Sequence, residues 1–179
     1  MARVGGFLAL LTAALIFGCA AVSSVEPVGE RPNVISQDEW SGTWIHENHS
    51  ITIKVLDEQK GLLQVAWVEE KEGGLKLESY RVAIRESGEW TFGNVKEKED
   101  AASHYWALIK KDAGQIIVWT PDPAQFRKLV QAGVLRGKLE GYDIILEKLT
   151  PDDLKVILSG DQKVSFEWQN PIVFFRVGR

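Results

Sequence analysis

From residue 51 onward, apolar and polar side chains alternate in short runs, the period-two pattern of strands with one face in a core. Ile51, Ile53 and Val55 alternate with Thr52 and Lys54, and Leu63, Val65 and Trp67 share one face of the next run. Tyr80, Val82 and Ile84 alternate with Arg81, Ala83 and Arg85, and Trp90 and Phe92 continue the pattern. His104, Trp106 and Leu108 stand opposite Tyr105, Ala107 and Ile109, and 116–119 is a nearly continuous apolar run. Turn-forming residues separate these runs at 57–61, 73–74, 87–88 and 111–114. Such close spacing predicts an antiparallel meander, because parallel strands need long crossovers.

The period changes twice in the second half. Asp122-Pro123-Ala124-Gln125 supplies an N-cap, a proline at the first helical position and Gln three residues after the cap. Phe126, Leu129 and Val130 then follow at helical spacing, and Gly133 is a suitable stop. Thr150-Pro151-Asp152-Asp153 repeats the logic, with Leu154, Ile157 and Leu158 as the buried face. Strands are expected at 142–149 and 171–177, with a further one at 163–168. The predicted fold is mainly β: an antiparallel up-and-down barrel of about eight or nine strands, with two short helices in its C-terminal half. Closure also removes exposed sheet edges.

The N-terminus reads differently. Arg3 precedes an apolar run from Phe7 to Phe17, interrupted by Thr12. A membrane-spanning helix needs roughly 20 apolar residues, so this run suits a removable export signal better than a span. Its end, Ile16-Phe17-Gly18-Cys19, resembles the lipobox of bacterial lipoproteins, although Phe17 is bulky for its position. The resemblance implies cleavage before Cys19 and attachment of lipid, including palmitate, to that cysteine. Cys19 is the one cysteine of the chain, so no intramolecular disulfide is available. Each buried CH2 of an acyl chain contributes about 0.8 kcal/mol, and two or more chains make attachment stable. Ala20, in place of the aspartate that holds lipoproteins of this family in the inner membrane, implies the outer membrane facing the periplasm if the source is Gram-negative.

Three regions follow: a signal peptide at 1–18, a lipidated N-terminus and flexible tether at 19–37, and the barrel domain at 38–179. The tether assignment rests on the lack of any period and on two prolines in 20–37. Eighteen residues at about 3.3 Å each would let the domain stand up to roughly 60 Å from the membrane.

Composition narrows the partners. Removing residues 1–18 takes one arginine from the 21 basic residues and leaves the 25 acidic ones, a formal charge of −5. Charges of both signs are interspersed, as in Lys96-Glu97-Lys98-Glu99-Asp100, which argues against nucleic acid or an anionic lipid surface as partner.

Gly42-Thr43-Trp44 resembles the Gly-x-Trp signature that opens the first strand of lipocalins. In that family the tryptophan plugs the closed end of the barrel and an arginine near the C-terminus packs across its ring. The resemblance makes Gly42, Trp44 and Arg176 the expected barrel-closure set, and a cation over an indole contributes about 0.5–2 kcal/mol. The chain departs from lipocalins in lacking a central Thr-Asp-Tyr element and in placing a helix before the final strands.

No residue set points to catalysis. There is no serine-centred nucleophile elbow, and 133–137 lacks the Gly-Lys-Ser/Thr ending of a phosphate loop. His46 and His49 are three apart, a spacing that puts strand side chains on opposite faces, so joint metal capture would require a turn at 47–48. Their simpler reading is as solvated loop histidines, and neither a metal nor a cofactor is assigned. Trp67, Tyr80, Trp90, Trp106 and Trp119 remain as candidates to line a ligand cavity, or else to fill the core or pack beneath the helices. The expected function is a membrane-anchored lipoprotein whose barrel binds a small hydrophobic or lipid-like ligand. The alternative is an envelope interaction or assembly lipoprotein that meets another envelope protein through its outer surface.

Overall fold

The computed structural model describes residues 20–178 apart from 48, 72–73, 97, 99 and 160–164, and leaves out the side chains of 68–71 and 74–76. The expected signal peptide and Cys19 lie outside the described residues. In chain order the elements are β1 (Val22–Ser24), β2 (Arg31–Pro32), α1 (Gln37–Trp40), β3 (Gly42–His46), β4 (His49–Asp57) and β5 (Leu62–Lys71). There follow β6 (Gly74–Ser87), β7 (Trp90–Val95), β8 (His104–Asp112), β9 (Gln115–Trp119), α2 (Pro123–Gln131), β10 (Gly137–Glu140), β11 (Asp143–Leu146), α3 (Pro151–Leu158) and β12 (Ile172–Arg176).

Each strand from β3 to β9 pairs antiparallel with the next, as the short turns require. β12 then enters between β9 and β3, antiparallel to both, and closes an eight-stranded barrel. The up-and-down expectation therefore describes the first seven strands, while the eighth arrives after the segment that contains both C-terminal helices. Gly61 permits one tight approach: at φ 62° a Cβ would stand 2.4 Å from the Ile84 carbonyl oxygen and 2.6 Å from that of Asn33.

Alternation gives the barrel wall two apolar faces. The inner face, with Trp44, Ile53, Leu63, Ile84, Ala107, Ile116, Val118 and Phe174, forms one core, closed below by Ile35 and Trp40. The outer face of β7 and β8 contributes Phe92, Trp106 and Leu108 to a second core, completed by Phe126 and Leu129 of α2, Ile144 and Leu146 of β11, and Leu154 and Ile157 of α3. The helices form where the caps placed them. Asp122 accepts from the Ala124 N–H at 2.8 Å, and Thr150 and Asp153 form a reciprocal capping box.

Three sequence expectations are corrected. The segment 20–37 is not a free tether. Val22 and Ser23–Ser24 lie in β1, inserted between β11 (parallel) and the start of β8 (antiparallel), and Ala21, Val22, Val28 and Ile35 are buried. The Asn94 side chain holds the backbone of Val28 like a neighbouring strand, accepting from its N–H at 2.6 Å and donating to its carbonyl at 3.0 Å. Residues between 20 and 37 thus belong to the folded unit, which does not begin at 38. Secondly, only 143–146 of the expected strand at 142–149 forms β11, which joins β1 and β10 beside the barrel rather than within it. Thirdly, the described part of 163–168 makes one bridge, Pro121 with Phe166, instead of a strand. A third short helix, α1, was not anticipated.

His104 opens β8 opposite Ser24. Its pKa is held below the ordinary 6.5, first by burial and then by the charge of Lys96, while the neighbouring backbone of Ser24 and Val25 opposes the shift. Below about pH 6.5 the unfolded chain therefore binds this proton more readily than the folded one, so stability present at neutral pH is lost as the pH falls. The melting temperature is expected to drop between pH 7 and 5, and less steeply in His104→Gln. An equal drop in the variant would refute the assignment to this residue.

Candidate functional site

The expected closure residues meet where α1 leads into β3. The Trp44 side chain is fully buried, and its indole N–H donates to the Trp40 carbonyl at 3.0 Å, tying β3 to α1. The Arg176 guanidinium lies over the Trp44 ring, 5.5 Å from its centroid. It also donates to the carbonyls of Asp38 at 2.8 Å, Glu39 at 3.4 Å and Ser41 at 2.6 Å. One arginine at the chain's far end thus ties the end of α1 to the barrel floor. Gly42 has φ 139°, and a Cβ there would sit 3.6 Å from two guanidinium nitrogens. Gly42→Ala is expected to cost at least about 1 kcal/mol, since alanine disfavours positive φ; a neutral result in denaturant unfolding would show that the floor tolerates the change.

Within the barrel lies a partly open cavity of about 100 Å³. Its wall comes from inward positions of β3 to β9 and β12, chiefly aliphatic: Ile51, Val65, Val82, Ile109 and Val118 among them. Gly93 and Ala107 are directly paired in this wall, and the Ile109 side chain fills the position that a Cβ on Gly93 would take. Indole N–H groups aside, the polar side chains that alternation turns toward the lining are His46 and His49, the opposed pair of the β3–β4 hairpin. The result is an apolar chamber with its polar groups gathered on one sector, the arrangement that orients an amphiphilic guest.

The five aromatic candidates separate. Trp67 lines the cavity, and Tyr80, on the same face of the β5–β6 pair, stacks on it with centroids 5.0 Å apart and planes 13° from parallel. Trp106 borders the cavity, but its ring packs edge-on against Phe92, Phe126 and Phe166 in the outer core. Trp90 and Trp119 also pack against the outer core, Trp119 against Trp168. Inward alternation of β7, β8 and β9 runs through Gly93, Ala107 and Val118 instead, so these three tryptophans serve the packing beneath the helices. His46 and His49 are not loop residues: they close the β3–β4 hairpin as a directly opposed pair, because Glu47 adopts a left-handed φ of 51°.

A second concavity, about 430 Å³, lies on the outer wall and is lined by Gln64, Ser79, Arg81, Lys96, Lys98 and His104 among others. Among the described residues no helix is long and apolar enough to cross a membrane. Comparison with protein-family models, with characterised proteins and with solved structures finds no match.

Proposed function

We propose that this protein is an envelope lipoprotein, anchored through acylated Cys19, whose barrel holds a short apolar segment of a lipid-like ligand. The observation that carries the binding reading is the apolar cavity inside the closed barrel, with its polar groups gathered on one hairpin. Its size selects the guest. An engineered cavity of about 150 Å³ takes benzene or xenon, and pockets for drug-sized molecules run to about 300–1,000 Å³. A chamber of about 100 Å³ suits a few carbons of an acyl chain and excludes a bulky pigment. Native mass spectrometry of gently purified protein tests this: an apolar adduct is expected, and a consistently empty barrel would overturn it.

Ala21 is fixed to β11, donating to the Asp143 carboxylate at 3.1 Å and accepting from the Ile144 N–H at 2.8 Å. Cys19 is two residues away, at most about 7 Å along the chain. Acylation there would set the domain directly on the bilayer, with the turn carrying Tyr142, 71% exposed, toward the interface. A fluorophore on Tyr142→Cys in vesicle-bound acylated protein is expected to be quenched by spin-labelled lipid. One on Lys54→Cys, on the opposite wall four strands from β8, is not. Equal quenching would contradict the orientation, and absence of lipid on Cys19 would remove the anchor itself.

The outer groove with Arg81, Lys96, Lys98 and His104 favours a second reading, contact with an envelope protein. Reproducible co-purification with one partner, sensitive to Lys98→Glu, would support it.

A further inference from the structure

The β3–β4 hairpin, which supplies the polar sector of the cavity, holds its two histidines in an arrangement that orienting a guest does not require. His46 and His49 are directly opposed across the turn, so both side chains leave the same face of the pair. Both border the cavity. His46 Nδ1 lies 3.1 Å from the Val173 carbonyl oxygen. A carbonyl can only accept, so Nδ1 carries the proton and Nε2 keeps its lone pair. Metal-ligating histidines are held in this way, with one ring nitrogen donating to a protein acceptor and the other oriented and basic. The Phe174 ring, 5.6 Å from that of His46, packs against the imidazole.

We infer that His46 and His49 together bind one divalent transition-metal ion of the imidazole-preferring class, Cu²⁺ or Zn²⁺, beside the barrel cavity. Among the described residues no third His, Cys, Asp or Glu completes the set. The remaining coordination positions therefore fall to water or to a donor atom of a bound molecule. An ion in this place is a Lewis acid beside an apolar chamber, able to hold an anionic head group whose tail lies inside. Ion binding itself rests on the hairpin geometry and not on the ligand reading, so the two fail separately.

The test uses the full-length chain with Cys19→Ala, which removes the one competing thiol. Titration with Cu²⁺, followed by calorimetry and electron paramagnetic resonance, is expected to show one ion per chain with nitrogen couplings. His46→Ala and His49→Ala should each weaken binding at least tenfold, and His104→Gln should not. His49 stands at a hairpin end, so His49→Ala with an unchanged melting temperature decides the matter even if His46→Ala misfolds. Absence of saturable binding, or binding unchanged in His49→Ala, would overturn the inference.

Discussion

Trp44→Ala is expected to lower the unfolding free energy by about 3–5 kcal/mol, the range for truncating a large buried aromatic. The side chain is fully buried in the inner core, so alanine leaves a void at the barrel floor. It also removes the donor to the Trp40 carbonyl, which loosens α1. Arg176→Ala should cost less, about 1–2 kcal/mol, because its charge-assisted hydrogen bonds to the α1 carbonyls are partly solvated. Chemical denaturation of both variants checks the order. A near-neutral Trp44→Ala, or a larger loss from Arg176→Ala, would contradict the plug.

Trp106→Ala is the second large effect, again about 3–5 kcal/mol, and its origin differs. The ring is 3% exposed and lies where Phe92 of β7, Phe126 of α2 and Phe166 converge. Its Nε1 makes no hydrogen bond among the described residues, so the loss is one of packing. Removing it should release the helical layer from the barrel wall. Trp67→Ala should cost less, since that ring is half-buried, and should weaken guest retention instead. A cost below about 1 kcal/mol for Trp106→Ala would mean that the outer core does not stabilise the fold.

The difference between these tryptophans explains what was legible in the sequence. Alternation in 51–55, 63–67 and 80–84 marks inward faces correctly, because there the opposite side of the wall is solvated. On β7 and β8 both faces are covered, so Phe92 and Trp106 alternate as regularly as Gly93 and Ala107, and period alone does not say which side is inside. The caps at Asp122 and Thr150 were readable because they are local chemistry, complete within four residues. β1 was not, because three residues carry no period and its partners, Ile144–Leu146 and His104–Tyr105, are remote in sequence. Asn94 carries no local signal of its role, which depends on Val28, brought alongside by the fold. The histidine pair was half visible. The spacing was plain, but the left-handed φ at Glu47 that turns it into an opposed pair belongs to a residue with no glycine to announce it.

The central claim is that the barrel interior is a binding chamber and not residual packing space, and Ala107→Leu tests it most directly. Ala107 is buried and lines the cavity, so Ala107→Leu adds three carbons at its wall. Wild-type and variant protein, purified identically, are compared by native mass spectrometry alongside their melting temperatures. The expected result is an apolar adduct on the wild type that disappears from Ala107→Leu, with the melting temperature held or raised. The same adduct on both proteins, at equal occupancy and stability, would place the guest elsewhere and contradict the account.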